Sequence, residues 1–199
     1  MQESTGAALS APDTPPDHDT PASRSRPGVL RWYVIAAVVT LVLDQATKVW
    51  ALGALTDGRV VPLVGDLLSL RLIRNSGAAF SIGDDMTWVM TLVAVGVTLA
   101  ILWAALRVGS GRWALSLGLL LGGSLGNLYD RFFRDPAPLH GHVVDFIDYG
   151  GLFVGNIADI AIVGGAAVLV WLTFANIGLD GSRPQHAAGR HDDEEQTDG

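Results

Sequence analysis

The sequence predicts an all-α membrane protein of four transmembrane helices with a small β-sheet at one membrane face. Of its 199 residues, 49% are hydrophobic and 17% are charged, a balance that favours a polytopic membrane protein. Residues 86–106, 113–129 and 160–179 contain no charge, and each comes close to the roughly 20 residues that cross a bilayer core. A fourth apolar stretch starts at Trp32 and resumes beyond Asp44, which predicts a first helix with an acid near one end.

The predicted domain boundaries follow these apolar segments. Residues 1–28 are rich in Pro, Ser, Thr and Ala and are expected to be a disordered cytoplasmic tail, not a cleaved signal peptide. Residues 29–179 form the predicted membrane domain, and residues 180–199 a disordered acidic cytoplasmic tail. The four predicted spans are residues 30–53, 86–107, 112–131 and 157–179.

Composition also limits the chemistry. The chain has no cysteine, which excludes a disulfide framework, a thiol nucleophile and cysteine-ligated zinc. Its net charge of −7 gives little reason to expect a nucleic acid as partner. His140, His142 and Asp145 are close in sequence, but without a further histidine or cysteine nearby a solvated loop is favoured over a metal site. We expect neither a metal nor an organic cofactor.

Two long loops, residues 56–85 and 132–158, fall on the same membrane face when four spans alternate in direction. In the first loop, residues 68–73 show a short period-two pattern and residues 59–64 form a second β-favouring run broken by a proline. A small sheet at the membrane surface is therefore predicted. In the second loop, residues 143–148 are predicted to be an amphipathic segment at the interface.

The first loop ends in residues that suit ligand binding. Asn75 offers an amide that can donate and accept hydrogen bonds, and Gly77 lets the backbone approach a ligand closely. Both are candidate substrate-binding residues.

Three acids gather at the face that carries both loops. Asp44 lies near the end of helix 1, Asp130 ends helix 3, and Asp159 opens helix 4. Asn127 and Asn156 each precede one of the last two acids by three residues, which places amide and carboxylate side by side on a helical face. Because a carboxylate inside a membrane is costly, such acids indicate a functional site.

Asp130 and Asp159 can thus face each other at equal depth on antiparallel helices. Two carboxylates within a few ångströms in a dry site share one proton. The ionised one accepts a proton from water, while the protonated one supports the carbonyl and protonates the leaving amine, which is the chemistry of peptide hydrolysis. Either acid alone is equally well explained as a helix-end charge, but the repeated spacing favours a catalytic dyad.

Asp44 and Lys48 are spaced i, i+4 with the acid first, as in an intrahelical ion pair. We therefore assign them a structural or substrate-orienting role.

The distribution of positive charge does not settle how the protein is oriented in the membrane. With the amino terminus inside, seven Lys and Arg residues fall inside and six fall outside. The tight turn between Arg107 and Arg112 is the best local sign of an inside loop, and Lys48 and Arg131 are expected to pair with nearby acids.

Five motifs stand in order along about residues 32–176. They are Asp44-Gln45-Ala46-Thr47-Lys48, Asn75-Ser76-Gly77-Ala78-Ala79-Phe80, Gly122-Gly123-Ser124-Leu125-Gly126-Asn127-Leu128-Tyr129-Asp130-Arg131, Val143-Val144-Asp145-Phe146-Ile147-Asp148 and Asn156-Ile157-Ala158-Asp159. Together they resemble the motif set of lipoprotein signal peptidase (signal peptidase II).

The resemblance implies an aspartic endopeptidase of the bacterial plasma membrane, with both termini cytoplasmic and the active site and an extracytoplasmic β-sheet cradle near the outer surface. Its substrates would be diacylglyceryl-modified prolipoproteins, cut just before the lipidated cysteine, and membrane lipid and globomycin-type inhibitors would be further partners. A monomer is the default expectation. The resemblance places the catalytic dyad on Asp130 and Asp159, and the supporting polar residues on Asp44, Lys48, Asn75, Asn127, Arg131 and Asn156.

Three features of the chain bear on this family pattern. Gly155 stands where an aromatic residue is expected, and the run of residues 133–139 is longer than the family norm. Gly118, Gly122 and Gly126 recur every four residues and predict a groove on helix 3 that holds either helix 4 or the signal-peptide helix.

Two other functions compete with the peptidase. A small ion-coupled transporter would use Asp44, Asp130 and Asp159 as a proton relay. Four spans without an evident inverted repeat, and acids at one face instead of the midplane, disfavour it. An inactive binding or assembly protein is disfavoured by the intact pair of acids, each with its asparagine.

Overall fold

The computed structural model describes residues 26–77, 87–136 and 138–182. Within those ranges three helices are long and apolar enough to cross a membrane, and they accompany a small antiparallel sheet. The expectation of a helical membrane protein with a small sheet is confirmed at that level, whereas most of both predicted tails lies outside the described residues. The elements in order are α1 (Arg26–Ala54), β1 (Val61–Val64), β2 (Leu68–Asn75), α2 (Thr87–Ala105), α3 (Gly111–Phe133), β3 (Val143–Asp148), β4 (Val154–Gly155) and α4 (Ile157–Phe174).

Helix α3 lies at the centre of the helices and packs closely on α1 through its glycines. A Cβ atom placed on Gly118 or on Gly122 would come within 2.5 Å of a backbone carbonyl oxygen of α1. A Cβ on Gly126 would collide with the carboxylate of Asp44. The groove predicted on α3 is therefore filled by α1, and neither occupant considered from the sequence takes that place.

The physical reason lies in the residues that α1 presents. Ala36, Ala37 and Thr40 are small and lie opposite the α3 glycines, so the two backbones can approach without side chains between them. Helix α4 packs against a different glycine of α3, Gly123. A Cβ atom placed on Gly123 would lie 2.6 Å from the backbone carbonyl oxygen of Ala158 in α4.

Replacing Gly122 by alanine is expected to destabilise the protein by about 1–3 kcal/mol, since the added methyl group overpacks a closed interface. The unfolding midpoint in detergent measures the effect. Gly164→Ala is the matched control, because Gly164 is exposed on α4 and a Cβ there would meet nothing within 4 Å. Equal midpoints for the two variants would contradict the packing of α3 on α1.

The sheet has the strand order β1-β2-β3-β4, with every neighbouring pair antiparallel. β1 is an edge strand, which explains how Pro62, a residue with no backbone donor, fits in it. Residues 143–148, predicted to be an amphipathic interfacial segment, form instead the inner strand β3. Val143, Val144 and Phe146 are all buried, and a strand covered on both faces does not show the alternation that marks a half-exposed strand.

The sheet rests on the end of α1 and leads into the start of α4. Phe146 packs with Ala51 and Leu55, and its ring lies 6.3 Å from that of Trp50. β2 and β3 pair so that Asn75 lies opposite Val143, two residues from Asp145. β4 ends directly before the first residues of α4. The fold therefore brings residues of all five motifs to one end of the helices.

Candidate active site

A buried ion cluster joins α1 to α3. The ammonium nitrogen of Lys48 lies 2.9 Å from a carboxylate oxygen of Asp44 and 2.8 Å from one of Asp130, and all three side chains are fully buried. The i, i+4 pair expected within α1 is therefore present, and Lys48 extends it to α3. Asp44 also accepts a hydrogen bond of 3.0 Å from the backbone N–H of Ala158, which ties α4 to the same cluster.

Both carboxylate oxygens of Asp130 are engaged. Oδ1 accepts from the guanidinium of Arg134 at 2.5 Å and from the amide of Gln45 at 3.4 Å. Oδ2 accepts from Lys48 and from the backbone N–H of Val144 at 3.1 Å. Lys48 and Arg134 therefore pair with Asp130 from both sides, an arrangement that suits a structural role.

Asp145, on β3, has a different environment. Its side chain is 2% exposed and accepts hydrogen bonds from the amides of Asn75, at 2.8 Å, and Asn156, at 2.6 Å. Burial, with the negative charge of Asp159 adding to it, raises the pKa of Asp145 to about 6 in spite of these hydrogen bonds. A carboxyl group that titrates there can hold or give up a proton near neutral pH.

Asp159 opens α4 in a capping box with Asn156, in which each side chain accepts a hydrogen bond from the backbone N–H of the other. Its second oxygen accepts from the amide of Asn127 at 3.0 Å. Asp159 is partly accessible, whereas Asp145 is buried. Among the described residues no Lys or Arg forms a salt bridge with either acid.

Asn127 and Asn156 connect the acids. The side-chain oxygen of Asn127 accepts from Lys48 at 2.9 Å and from Asn156 at 3.2 Å, which orients its amide nitrogen towards Asp159. Asn127 was expected to position Asp130, three residues on in the same helix. It reaches across to α4 instead, since its helical face is turned towards that helix.

Two more predicted site residues support the surrounding loops. Arg131 was expected to pair with an acid, but its guanidinium donates to the backbone carbonyls of Ser76, at 3.3 Å, and Gly141, at 3.5 Å. Gly77 has a φ of +92°, and a Cβ there would lie 3.1 Å from Met90 and 3.2 Å from Arg131, so its close approach is to the protein itself. Ala78, Ala79 and Phe80 of the same motif lie outside the described residues.

The site contains three residues that sequence reasoning did not assign to it. Asp145 was considered only as part of a metal site, although it stands inside one of the five motifs. Gln45 also belongs to a motif, whereas Arg134 lies outside all five and had no sequence signal. In the part of the chain that the structure describes, no three His, Asp or Glu side chains are placed to hold a metal ion.

Comparison with known proteins places these motifs in a family. The profile of the family described as Signal peptidase (SPase) II matches residues 36–175. The lipoprotein signal peptidase of Mycolicibacterium smegmatis is 49% identical over 89% of this chain and 75% of its own length. That of Mycobacterium tuberculosis is 46% identical over 94% of both chains.

Solved structures agree with the sequence comparisons. Two structures of bacterial membrane enzymes are each 25% identical to this chain and superpose with a TM-score of 0.60. One covers 71% of this chain and 91% of its own, and the other 72% and 88%. The resemblance inferred from the five motifs is confirmed, and the chain belongs to the signal peptidase II family.

Proposed function

We propose that this protein is a membrane-embedded aspartic peptidase that removes the signal peptide from diacylglyceryl-modified prolipoproteins, with Asp145 and Asp159 as its catalytic pair. Family membership supports the activity. The observation that carries the choice of residues is the contrast between Asp130, which two cations neutralise, and Asp145, whose nearest polar partners are two neutral amides. The pair predicted from sequence, Asp130 and Asp159, is the alternative that the experiments below distinguish.

The proposed mechanism needs one proton shared by Asp145 and Asp159. The ionised carboxylate accepts a proton from a water molecule as the water oxygen attacks the scissile carbonyl carbon. The protonated carboxyl donates a hydrogen bond to the carbonyl oxygen, which stabilises the negative charge that develops there. When the tetrahedral intermediate collapses, the C–N bond breaks and a proton passes to the leaving amine.

Asp130 has a positioning role in this account. Its Oδ2 fixes the backbone N–H of Val144, directly before Asp145, and its partner Lys48 orients Asn127 towards Asp159. One buried anion thus holds both catalytic acids. Arg131 supports the same site by tying the ends of two loops together.

The location of the site suits a lipidated substrate. The acyl chains of a diacylglyceryl-cysteine stay in the bilayer, so the bond beside that cysteine must be cut at the membrane surface. All the acids of the site lie at one end of the apolar helices, next to the sheet. We take α3 to be a fourth span, since α1, α2 and α4 pack around it, and the sheet to be the cradle for the substrate.

Ion pairing supports an orientation with both termini in the cytoplasm. At the site end, Lys48, Arg59, Arg71 and Arg134 pair with carboxylates. Arg131 is buried against backbone carbonyls, and Arg74 is the one exposed cation there without an ion pair among the described residues. At the opposite end, three cations, Arg31, Arg107 and Arg112, form no ion pair among the described residues. Unpaired cations are enriched on the cytoplasmic side of membrane proteins, so this difference favours a site end that faces outwards.

Cysteine labelling tests this orientation, because the chain has no cysteine of its own. Leu152, in the turn between β3 and β4, is 88% exposed, and Leu106, just after α2, is 85% exposed. A membrane-impermeant maleimide added to intact cells is expected to label Leu152→Cys, and to label Leu106→Cys only after lysis. The opposite pattern would reverse the proposed topology.

The activity is tested with the purified full chain in detergent and a diacylglyceryl-modified prolipoprotein. We expect the lipidated form to be cut immediately before the cysteine, as judged by the mass of the product, and the unlipidated form to be left intact. Inhibition by globomycin would agree with the proposal. A chain that cuts neither form would contradict the proposed function. The competing transporter function has no support from the family assignment.

A further inference from the structure

Arg134 reaches the buried acid cluster from the loop that follows α3. Besides its contact with Asp130, its guanidinium donates to the side-chain oxygen of Gln45 on α1 at 3.3 Å. The side chain is only 16% exposed. It belongs to the run of residues 133–139, which contains none of the five motifs.

The charges of the cluster balance only when Arg134 is counted. Asp44 and Asp130 contribute two negative charges, and Lys48 contributes one positive charge to both of them. Without a second cation the cluster would carry one net negative charge in a place from which water is excluded. Burying an unpaired charge is expensive, and a group in such a place changes its protonation state instead. Arg134 supplies the missing positive charge.

The charge balance of the cluster also affects the proposed catalytic acids, because residues of the cluster contact the groups that hold Asp145 and Asp159 in place. Asp130 holds Val144, and Val144 precedes Asp145. Lys48 holds Asn127, and Asn127 donates to Asp159. A negative charge left on the cluster would act on both acids at once.

The loop is folded so that Arg134 stays in place. The backbone N–H of Gly141 donates to the carbonyl of Arg131 at 3.1 Å, and that of His142 donates to the carbonyl of Asp135 at 3.0 Å. Thr91 on α2 donates its hydroxyl to the carbonyl of Leu139 at 2.7 Å. Gly141 lies against the carbonyls that end α3 and leaves no room for a side chain.

We infer that Arg134 is a positioning residue of the peptidase: it neutralises the Asp44–Lys48–Asp130 cluster and so sets the pH range in which Asp145 and Asp159 share one proton. The inference rests on the proposed function. The other charged groups that act on Asp145 are Lys48 on α1 and Arg131 on α3, and Asp44 and Asp130 are the partners of Lys48. Strand β2 places the neutral Asn75 against Asp145, and its two arginines are Arg71, which pairs with Asp148, and Arg74.

The test is the pH profile of kcat/KM for cleavage of the lipidated substrate. Arg134→Gln removes the positive charge, so both limbs of the profile are expected to move to higher pH. For a unit charge removed at about 10 Å, Coulomb's law with an effective dielectric constant near 20 gives a shift on the order of 1 pH unit. Arg134→Lys keeps the charge and is expected to restore the limbs, with a lower maximum because the fork of donors is lost.

Two controls distinguish an effect of the Arg134 charge on the pH profile from a defect in folding. Arg112→Gln removes an exposed arginine at the other end of α3 and is expected to leave the profile unchanged. The double variant Asp130→Asn/Arg134→Gln removes one charge of each sign, so its limbs are expected at the wild-type positions even where its maximum is lower.

The outcomes are distinct. A profile of Arg134→Gln that is lowered without displacement, or that equals the wild type, would overturn the role of Arg134. So would a double variant whose limbs are as displaced as those of a single variant. An inactive wild type would overturn the proposed function itself, whereas Asp145→Asn with normal turnover would overturn the proposed catalytic pair. The role of Arg134 would fall in either case.

Discussion

Asp145→Asn is expected to lower the rate of prolipoprotein cleavage by about 10²- to 10⁴-fold, the range lost when a general acid or base is removed. Asparagine has nearly the same shape and can still accept a hydrogen bond from Asn75 or Asn156, so the fold is preserved. It cannot carry the proton that the pair must share. Single-turnover cleavage of the lipidated substrate measures the loss, and binding of that substrate to the variant shows that the site is intact.

The wild type supplies a pH check on the same carboxyl group. Because the pKa of Asp145 is raised to about 6, the group is protonated below that pH and ionised above it. The kcat/KM of the free enzyme is therefore expected to fall as the pH rises through about 6, as the pair loses its last proton. Near-normal cleavage by Asp145→Asn would return the catalytic role to Asp130.

Lys48→Met is expected to cost about 3–5 kcal/mol of folding stability, the range found when one partner of a buried ion pair is removed. Lys48 bridges the carboxylates of Asp44 and Asp130, which are both fully buried. Without Lys48, the only cation left in this cluster would be Arg134, which pairs with Asp130. Methionine fills a similar volume, so the loss reports charge more than packing. Denaturant unfolding in mixed micelles measures it.

The matched control for Lys48→Met is Arg59→Gln. Arg59 forms an ion pair with Asp57 at 2.5 Å, but both side chains are more than half exposed. Exposed pairs contribute little because water and salt screen them, so no measurable change is expected. Equal losses for the two variants would show that the Lys48 cluster is not a buried structural unit.

Local spacing in the sequence predicted contacts within an element better than contacts between elements. The spacing of Asp44 and Lys48 indicated their pair, and that of Asn156 and Asp159 fits the capping box. The identical spacing of Asn127 and Asp130 led to the wrong contact, because it shows which residues share a helical face and not what lies opposite. The same limit applies to Gly118 and its repeats, whose partner helix depends on packing.

The place of Asp145 depended on sheet pairing, which the sequence did not reveal. Its strand β3 is buried between two others and lacks the alternation of apolar and polar residues that marks a half-exposed strand. Once β3 pairs with β2, Asn75 and Asp145 become neighbours although 70 residues separate them. Arg134 was equally hidden, since only the folded loop shows that it returns to Asp130.

The central claim is that Asp145, and not Asp130, carries the chemistry with Asp159. The most direct measurement compares cleavage of the lipidated prolipoprotein by Asp145→Asn and by the charge-balanced double variant Asp130→Asn/Arg134→Gln. We expect the first variant to lose about 10²- to 10⁴-fold in rate and the second variant to lose much less. Near-normal turnover by Asp145→Asn, with none by a correctly folded double variant, would contradict this claim.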